Sequence, residues 1–331
     1  EAARRRFAFE ELFYLSLGLA LLRERRSRGA GPSFPEADPA GFYGLLPFSL
    51  TAAQRRAAEE AAADLRSPRP MNRLVQGDVG SGKTAVAAAC AWMARQAGWQ
   101  SAMMAPTELL AQQHFHTLTA LLEPAHMTVG LLTGSMRAAE KRKVLSALQS
   151  GDIHLVVGTH ALLSQGVEFR RLGLVITDEQ HRFGVEQRAA LAAKANTPGD
   201  PADAAPEENF SPNVLVMSAT PIPRTLALII YGDLDVSVID ELPPGRKPVQ
   251  TFLIGESKRQ RLYGFVRAQV QEGRQVYLVC PAVEENPDGA WDLKAVNEYA
   301  RVLREEVFPD LRVGLVHGKL KARAKEAAMA A

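Results

Sequence analysis

The sequence predicts an α/β fold: an open, doubly wound parallel sheet, followed by part of a second domain of the same kind. Three observations lead there. From Leu45 onward, short apolar runs alternate with longer helical stretches. A glycine-rich loop, Gly77 to Thr84, joins one such run to one such helix. The alternation breaks at Pro243-Pro244-Gly245 and then restarts.

Taken in order, residues 1–28 read as one helix with apolar Phe7, Leu12, Leu15, Leu19 and Leu22 and charged ends. The stretch Leu12 to Leu22 is too short to span a bilayer, which takes about 20 residues. Glu10 and Glu11 before it and the arginines from Arg23 to Arg28 after it argue against a leader peptide. Gly29 to Gly44 is rich in Gly and Pro and reads as a connection. Strands are expected at Arg73–Gln76, Ser101–Ala105, Val129–Leu132, Ile153–Val157, Leu174–Thr177 and Val214–Met217. Helices are expected at Lys83–Ala97, Glu108–Leu122 and Ala138–Leu148. Asn196 to Asn213 carries four prolines and four acidic residues without a basic one, and reads as a surface insertion. After the Pro-Pro-Gly boundary, Ser257 is expected to cap a helix bearing Leu262, Phe265, Val266 and Val270. A strand at Val276–Val279, a helix at Leu293–Val307 and a strand at Val313–Val316 follow, too few for a complete second sheet. The domains are therefore 1–44, a linker helix and connection; 45–245, the first sheet domain; and 246–331, a partial second one.

The length of 331 residues suits about two domains, and 47% hydrophobic residues can build ordinary cores. A net charge of +2 neither demands nor excludes a polyanionic partner. Two distant cysteines, Cys90 and Cys280, form no framework, which fits a reducing cytoplasm. The first residue, Glu1, is not methionine, so a fragment or processed chain is expected.

The loop Gly77-Asp78-Val79-Gly80-Ser81-Gly82-Lys83-Thr84 fits G-x-x-x-x-G-K-[ST]. Its glycines let successive N–H groups turn toward one point, and the helix N-terminus favours anions. Lys83 can reach the outer phosphates of ATP, and the Thr84 hydroxyl can ligate Mg²⁺. Asp178-Glu179 ends an apolar strand, and ligands of parallel sheets bind beyond the carboxyl ends of strands. Asp178 is thus a candidate metal ligand, and Glu179 a candidate for orienting or deprotonating water. Ser218-Ala219-Thr220 follows another apolar strand on the same edge and could equally be a simple turn. The histidines are scattered; His114 and His116, two apart on a helix, are a poor metal pair. The tryptophans read as packing residues, and no base-stacking signature appears.

These segments in order, GDVGSGKT, APTELLAQQH from Ala105, GTHALL from Gly158, DEQHRFGV from Asp178 and SATPIPRT from Ser218, resemble the motifs of superfamily-two helicases. DEQHRFG, SATPIPRTLAL and YGDLDVSVIDELPPGRKPVQT resemble more narrowly the RecG family of bacterial branched-DNA helicases, over nearly the whole chain. The resemblance implies RecA-like domains, ATP and Mg²⁺ as cofactors, and hydrolysis-driven movement on branched DNA in recombination and repair. It implies that Gln54 reads adenine, that Gln180 and His181 complete the acidic motif, and that Arg182, Phe183 and Gly184 extend it. It implies that Thr107, Gly134 and Thr159 track the DNA backbone, and that Ser218 and Thr220 couple hydrolysis to strand movement. His317, at an expected strand end, is a further candidate DNA contact. A cytoplasmic monomer without membrane contact is expected, with a single-stranded DNA-binding protein as a further candidate partner. The family's wedge domain, its last motor motifs with their arginines and its C-terminal element have no counterpart here, so ATP binding with weak hydrolysis is expected. Thr177 stands where the family has an aliphatic residue and is expected to bond locally. A transcription-repair coupling translocase shares the motor type, and a binding module without catalysis is the alternative of another class.

Overall fold

The computed structural model describes residues 2–27, 31–178, 191, 194, 211–219, 234–241, 249–280, 293–317, 320, 324, 327 and 328. The chain divides into two compact units, Glu1–Lys247 and Pro248–Ala331.

The first unit holds a sheet of seven strands in the order β3-β4-β2-β5-β6-β1-β7, all neighbours parallel. They are β1 (Asn72–Gly77), β2 (Gln100–Met104), β3 (Val129–Leu132), β4 (Leu155–Gly158), β5 (Leu172–Asp178), β6 (Asn213–Ser218) and β7 (Asp235–Ile239). Six follow the expected runs. β7 does not, because its alternation of exposed and buried residues with Asp235 at its head lacks an apolar run. It forms as an edge strand against β1.

The α-helices with described bounds in this unit are α1 (Ala2–Ser27), α2 (Ala40–Tyr43), α3 (Ala52–Arg66), α4 (Lys83–Gln96), α5 (Glu108–Leu122) and α6 (Ala138–Ser150). Strand residues alternate between faces, since their side chains have a period of two. Val75, Met103, Val157, Ile176 and Met217 pack with α3, α4 and α5 in one core. Ala102, Met104, Val156 and Val175 pack on the other face with Leu148 of α6. β5 is buried along its whole length, which suits a central strand covered on both faces. Within it the Thr177 hydroxyl is buried without a partner, contrary to the expected local bond, at a cost of about 1–3 kcal/mol.

The sequence pattern does not single out α3, because its buried face is Ala53, Ala57, Ala58, Ala61 and Ala62, with Leu65 as its one large apolar residue. Alanine forms helix readily and lets helices approach closely, so the face is effective without being conspicuous. Arg73 of β1 pins α3 to the sheet. Its guanidinium binds Asp64 (2.6 Å), Glu60 (3.0 Å) and Ser237 of β7 (2.8 Å). The connection after α1 is packed rather than loose: Phe34 and Phe42 are fully buried. Asn213 ties it to the sheet, its amide donating to Pro32 O (2.9 Å) and its carbonyl accepting from Met71 N (2.7 Å). On α1 itself, Phe7 and Leu12 are exposed, as are Phe9 and Phe13, whose rings stack at 6.1 Å. The side chains of Leu15, Leu19 and Leu22 lie outside the described residues.

In the second unit, α7 (Arg259–Gln271) and α8 (Leu293–Val302, running into a π turn to Val307) follow the expected helices. Tyr263, Val266, Leu303 and Phe308 form a small core. Ser257 is not the cap: it sits inside a 3-10 turn, Glu256–Lys258, that leads into α7. No strand forms among the described residues of this unit, so Val276–Val279 and Val313–Val316 run unpaired, with Tyr277 and Val279 exposed. A strand needs a ladder, and apolar β-branched residues do not make one without a neighbouring strand.

Candidate nucleotide site and adjoining loops

The phosphate loop turns from the carboxyl end of β1 into the first turn of α4. Gly80 and Gly82 adopt positive φ, 75° and 91°, where side chains are strained. At Gly77 there is no room for more: a Cβ would lie 2.5 Å from Ser81 Oγ. The loop closes on itself through Ser81 N to Asp78 O (3.0 Å) and Val79 N to Asp78 Oδ1 (2.7 Å). Lys83 folds back over it, its ammonium donating to Gly77 O (2.6 Å) and Asp78 O (2.9 Å). Thr84 is half-buried in the first turn of α4.

Gln54 reaches the loop from α3. Thr51 and Gln54 form a reciprocal capping box, with Gln54 Oε1 accepting from Thr51 N (2.9 Å). The Gln54 amide then donates to Ser81 O (2.7 Å) and packs on Gly82, where a Cβ would lie 2.2 Å from Nε2. Its carboxamide therefore braces the phosphate loop, a role the sequence does not reveal.

Asp178 ends β5, two strands from β1, with β6 between them. The register sets Asp178 beside Met217 and Ser218 beside Gln76, so buried Ser218 lies between the two chemical strand ends. One oxygen of the Asp178 carboxylate is engaged: His114 of α5 donates from Nε2 to Oδ2 at 2.7 Å. Both side chains are largely buried. His114 is the residue that spacing along the helix sets aside, because its partner lies on another strand. Glu179, Gln180, His181, Arg182, Phe183, Gly184 and Thr220 lie outside the described residues.

The donor chemistry fits Mg²⁺. The described residues contain no cluster of three or more His, Cys, Asp or Glu that could hold a metal. Mg²⁺ needs none, since it is usually held by one or two carboxylates, waters and substrate phosphates. Asp178 and the Thr84 hydroxyl are hard oxygen donors of that kind.

A second group of loops leaves the ends of β2, β3 and β4. Thr107, exposed, caps α5 by accepting from Leu110 N (3.3 Å). Glu108, in the first turn, accepts from Ser135 N (2.9 Å), the residue after exposed Gly134. Lys141 donates to Gly134 O (2.6 Å) from the other side. Burial alone would raise the Glu108 carboxyl, but hydrogen bonds from Ser135 and Gly134, with His160 nearby, outweigh it and hold it below its ordinary range. Thr159, expected as a DNA contact, is 2% exposed with its hydroxyl buried and unpartnered. Its side chain does not reach the surface, because the chain turns inward to set Leu162 in the core. His317 lies in the second unit, half-buried, with its Nδ1 unpartnered. In the first unit, then, Thr107 and Gly134 stand on neighbouring loops, and the Thr159 hydroxyl is buried. No described helix is long and apolar enough to cross a membrane.

Comparison with known proteins adds to this geometry. The DEAD/DEAH box helicase family matches residues 51–229. The ATP-dependent DNA helicase RecG of Synechocystis sp. is 48% identical over 99% of the chain, and that of Thermotoga maritima 46% identical over 99%. The chain spans 38% and 40% of the lengths of these relatives. Among solved structures, RecG bound to a three-way DNA junction superposes with a TM-score of 0.77 at 41% identity, covering 99% of this chain and 41% of that one.

Proposed function

The chain belongs to the DEAD/DEAH box helicase family, and from that membership we propose that it is the motor portion of a RecG-type, ATP-dependent helicase acting on branched DNA. The observation that carries this is one sheet edge. The phosphate loop leaves β1, and Asp178 ends β5 on the same side of a parallel sheet.

In this reading the backbone N–H groups from Gly77 to Thr84 hold the ATP phosphates. Lys83 exchanges its bonds to the loop carbonyls for the outer phosphates. Thr84 and Asp178 hold Mg²⁺, which supplies charge neutralisation at the transferring phosphoryl group. Glu179, next along the chain, orients the attacking water, with Gln180 and His181 completing the motif. Gln54 reads adenine while its amide ties α3 to Ser81, so base recognition and loop shape share one side chain. Ser218 and Thr220 couple this site to strand movement. Thr107, Gly134 and the segment at Thr159 track the DNA backbone, and His317 is a further DNA contact. Contacts of this kind are to backbone phosphates, so binding depends on salt and little on sequence. The working unit is a cytoplasmic monomer, with a single-stranded DNA-binding protein as a further partner.

The test is ATP turnover by the intact protein with branched DNA, beside Lys83→Ala. Turnover is expected to be stimulated by branched DNA and to fall at least about 100-fold in the variant, the scale of losing a key charge-stabilising group. Equal turnover in the two proteins would sink the reading.

A further inference from the structure

We propose that His114 is a positioning residue: it fixes the Asp178 carboxylate for the metal and, through helix α5, ties that carboxylate to the loops that track DNA. The inference rests on reading Asp178 as a metal ligand and, for the coupling, on reading Thr107 and Gly134 as DNA contacts.

The first ground is local. His114 Nε2 donates to Asp178 Oδ2 at 2.7 Å, with side chains 14% and 11% exposed. A carboxylate held by one oxygen presents the other in a set direction. Hydrogen-bond partners of metal ligands matter on this scale, and their loss typically costs about 10–100-fold in metal affinity or activity. A buried histidine satisfied merely for packing would need only some acceptor. This one takes the terminal carboxylate of the strand beside the sheet's phosphate-binding edge.

The second ground is the helix that carries it. Thr107 caps α5 and Glu108, in its first turn, grips Ser135 of the neighbouring loop. His114 follows Thr107 by seven positions, close to two turns, so the two lie near one face of one rigid rod. Phosphate contacts at Thr107 and Gly134 therefore bear on the same helix that sets the His114–Asp178 distance. A shift of α5 by about 1 Å takes a 2.7 Å bond beyond good hydrogen-bond geometry. Nucleic acid on the loops and cation at the carboxylate thus bias one element, and the influence is reciprocal.

The experiment uses the intact protein and a fluorescent, non-hydrolysable ATP analogue. Its affinity is followed as Mg²⁺ is titrated, with and without a three-way DNA junction. In the wild type the junction should lower the Mg²⁺ midpoint. His114→Leu should raise that midpoint about tenfold or more and abolish the junction's effect, while analogue affinity in EDTA stays the same. His114→Gln, whose amide places a donor near Nε2, should restore both. Asp178→Asn controls for the premise. If it leaves the Mg²⁺ midpoint unchanged, the metal-ligand reading falls and takes the proposal with it. If Asp178→Asn raises the midpoint but His114→Leu does not, positioning alone is overturned. Failure of His114→Gln to restore a loss seen in His114→Leu overturns the hydrogen bond as its cause. Absence of a junction effect in the wild type, or its survival in His114→Leu, overturns the coupling through α5.

Discussion

Two clusters of loops share one edge of the sheet, and they are held in shape by different means. The phosphate loop between β1 and α4 is set by its own backbone: two glycines at positive φ, internal turns, and Lys83 folded over its carbonyls. Side chains assist within it, where Asp78 Oδ1 accepts from Val79 N, and at its flank, where Gln54 reaches Ser81. The loop after β3 is closed by side chains instead, with Thr133 N donating to Met136 Sδ (3.3 Å) and Lys141 to Gly134 O (2.6 Å). One carboxylate, Glu108, joins it to the loop after β2. A loop built from backbone geometry keeps its shape and awaits a ligand. One joined by side-chain charges can be rearranged by a competing charge, and a nucleic-acid phosphate is such a competitor. Under the proposed function, the difference makes one half a fixed receptor and suits the other to report occupancy.

The largest effect should come from breaking the backbone half. Gly82→Ala introduces a Cβ at φ 91° and 2.2 Å from Gln54 Nε2. Strain of this kind costs about 1–3 kcal/mol, and nucleotide affinity measured by calorimetry should fall about 5- to 150-fold. Gly98→Ala is the matched control, since it shares a positive φ (80°) but meets nothing within 4 Å. It should lower thermal stability while leaving nucleotide binding intact.

Next comes the support behind that half. Arg73→Met removes the cation facing Asp64 and Glu60 beneath α3. Loss of one partner of a buried pair costs about 3–5 kcal/mol. Glu60 and Asp64 are partly exposed, so about 2 kcal/mol is expected in denaturant unfolding. A change under 0.5 kcal/mol would show that helix packing alone places Gln54.

The side-chain half should respond to pH where the backbone half does not. Glu108 has its carboxyl held below the ordinary range when folded. Its contribution is therefore complete above that ordinary value, about pH 4.3, and is lost as pH falls through the depressed one. The protection factor for hydrogen exchange at Ser135 N–H, corrected for the intrinsic rate at each pH, should fall on that acidification and should be low at all pH values in Glu108→Ala. The Ser81 N–H, held by backbone, should show neither change. A bond to a charged acceptor contributes about 1.5–3 kcal/mol, and partial exposure brings the expected loss nearer 1 kcal/mol.

The smallest effect concerns the thiols. Burial pushes Cys90 up to about 12, whereas Cys280 of the second unit is exposed. A maleimide should label Cys280 and spare Cys90 in the folded protein, as only the thiolate reacts readily. Labelling at Cys90 under native conditions would mean that the core between α4 and the sheet opens.

Much of the fold is legible in the residues alone, where the signal is local. Six strands follow apolar runs, the central ones buried on both faces, and the phosphate loop follows from its glycines and flanking elements. The legible part thins where signals weaken. The alanine face of α3 looks bland, and β7 reads as polar. Val276–Val279 and Val313–Val316 look like strands yet find no neighbour among the described residues.

The candidate site divides in the same way. By itself the sequence pointed to the phosphate loop and the acidic strand end, and to the cofactor proposed for them, because each needs only a few consecutive residues of the right type. The tertiary structure alone decided who holds them. Gln54 meets Ser81 across 27 positions, Glu108 meets Ser135 across 27, and His114 meets Asp178 across 64. Such meetings depend on strand order, and a period of apolar residues states which face is buried without stating which strands are neighbours.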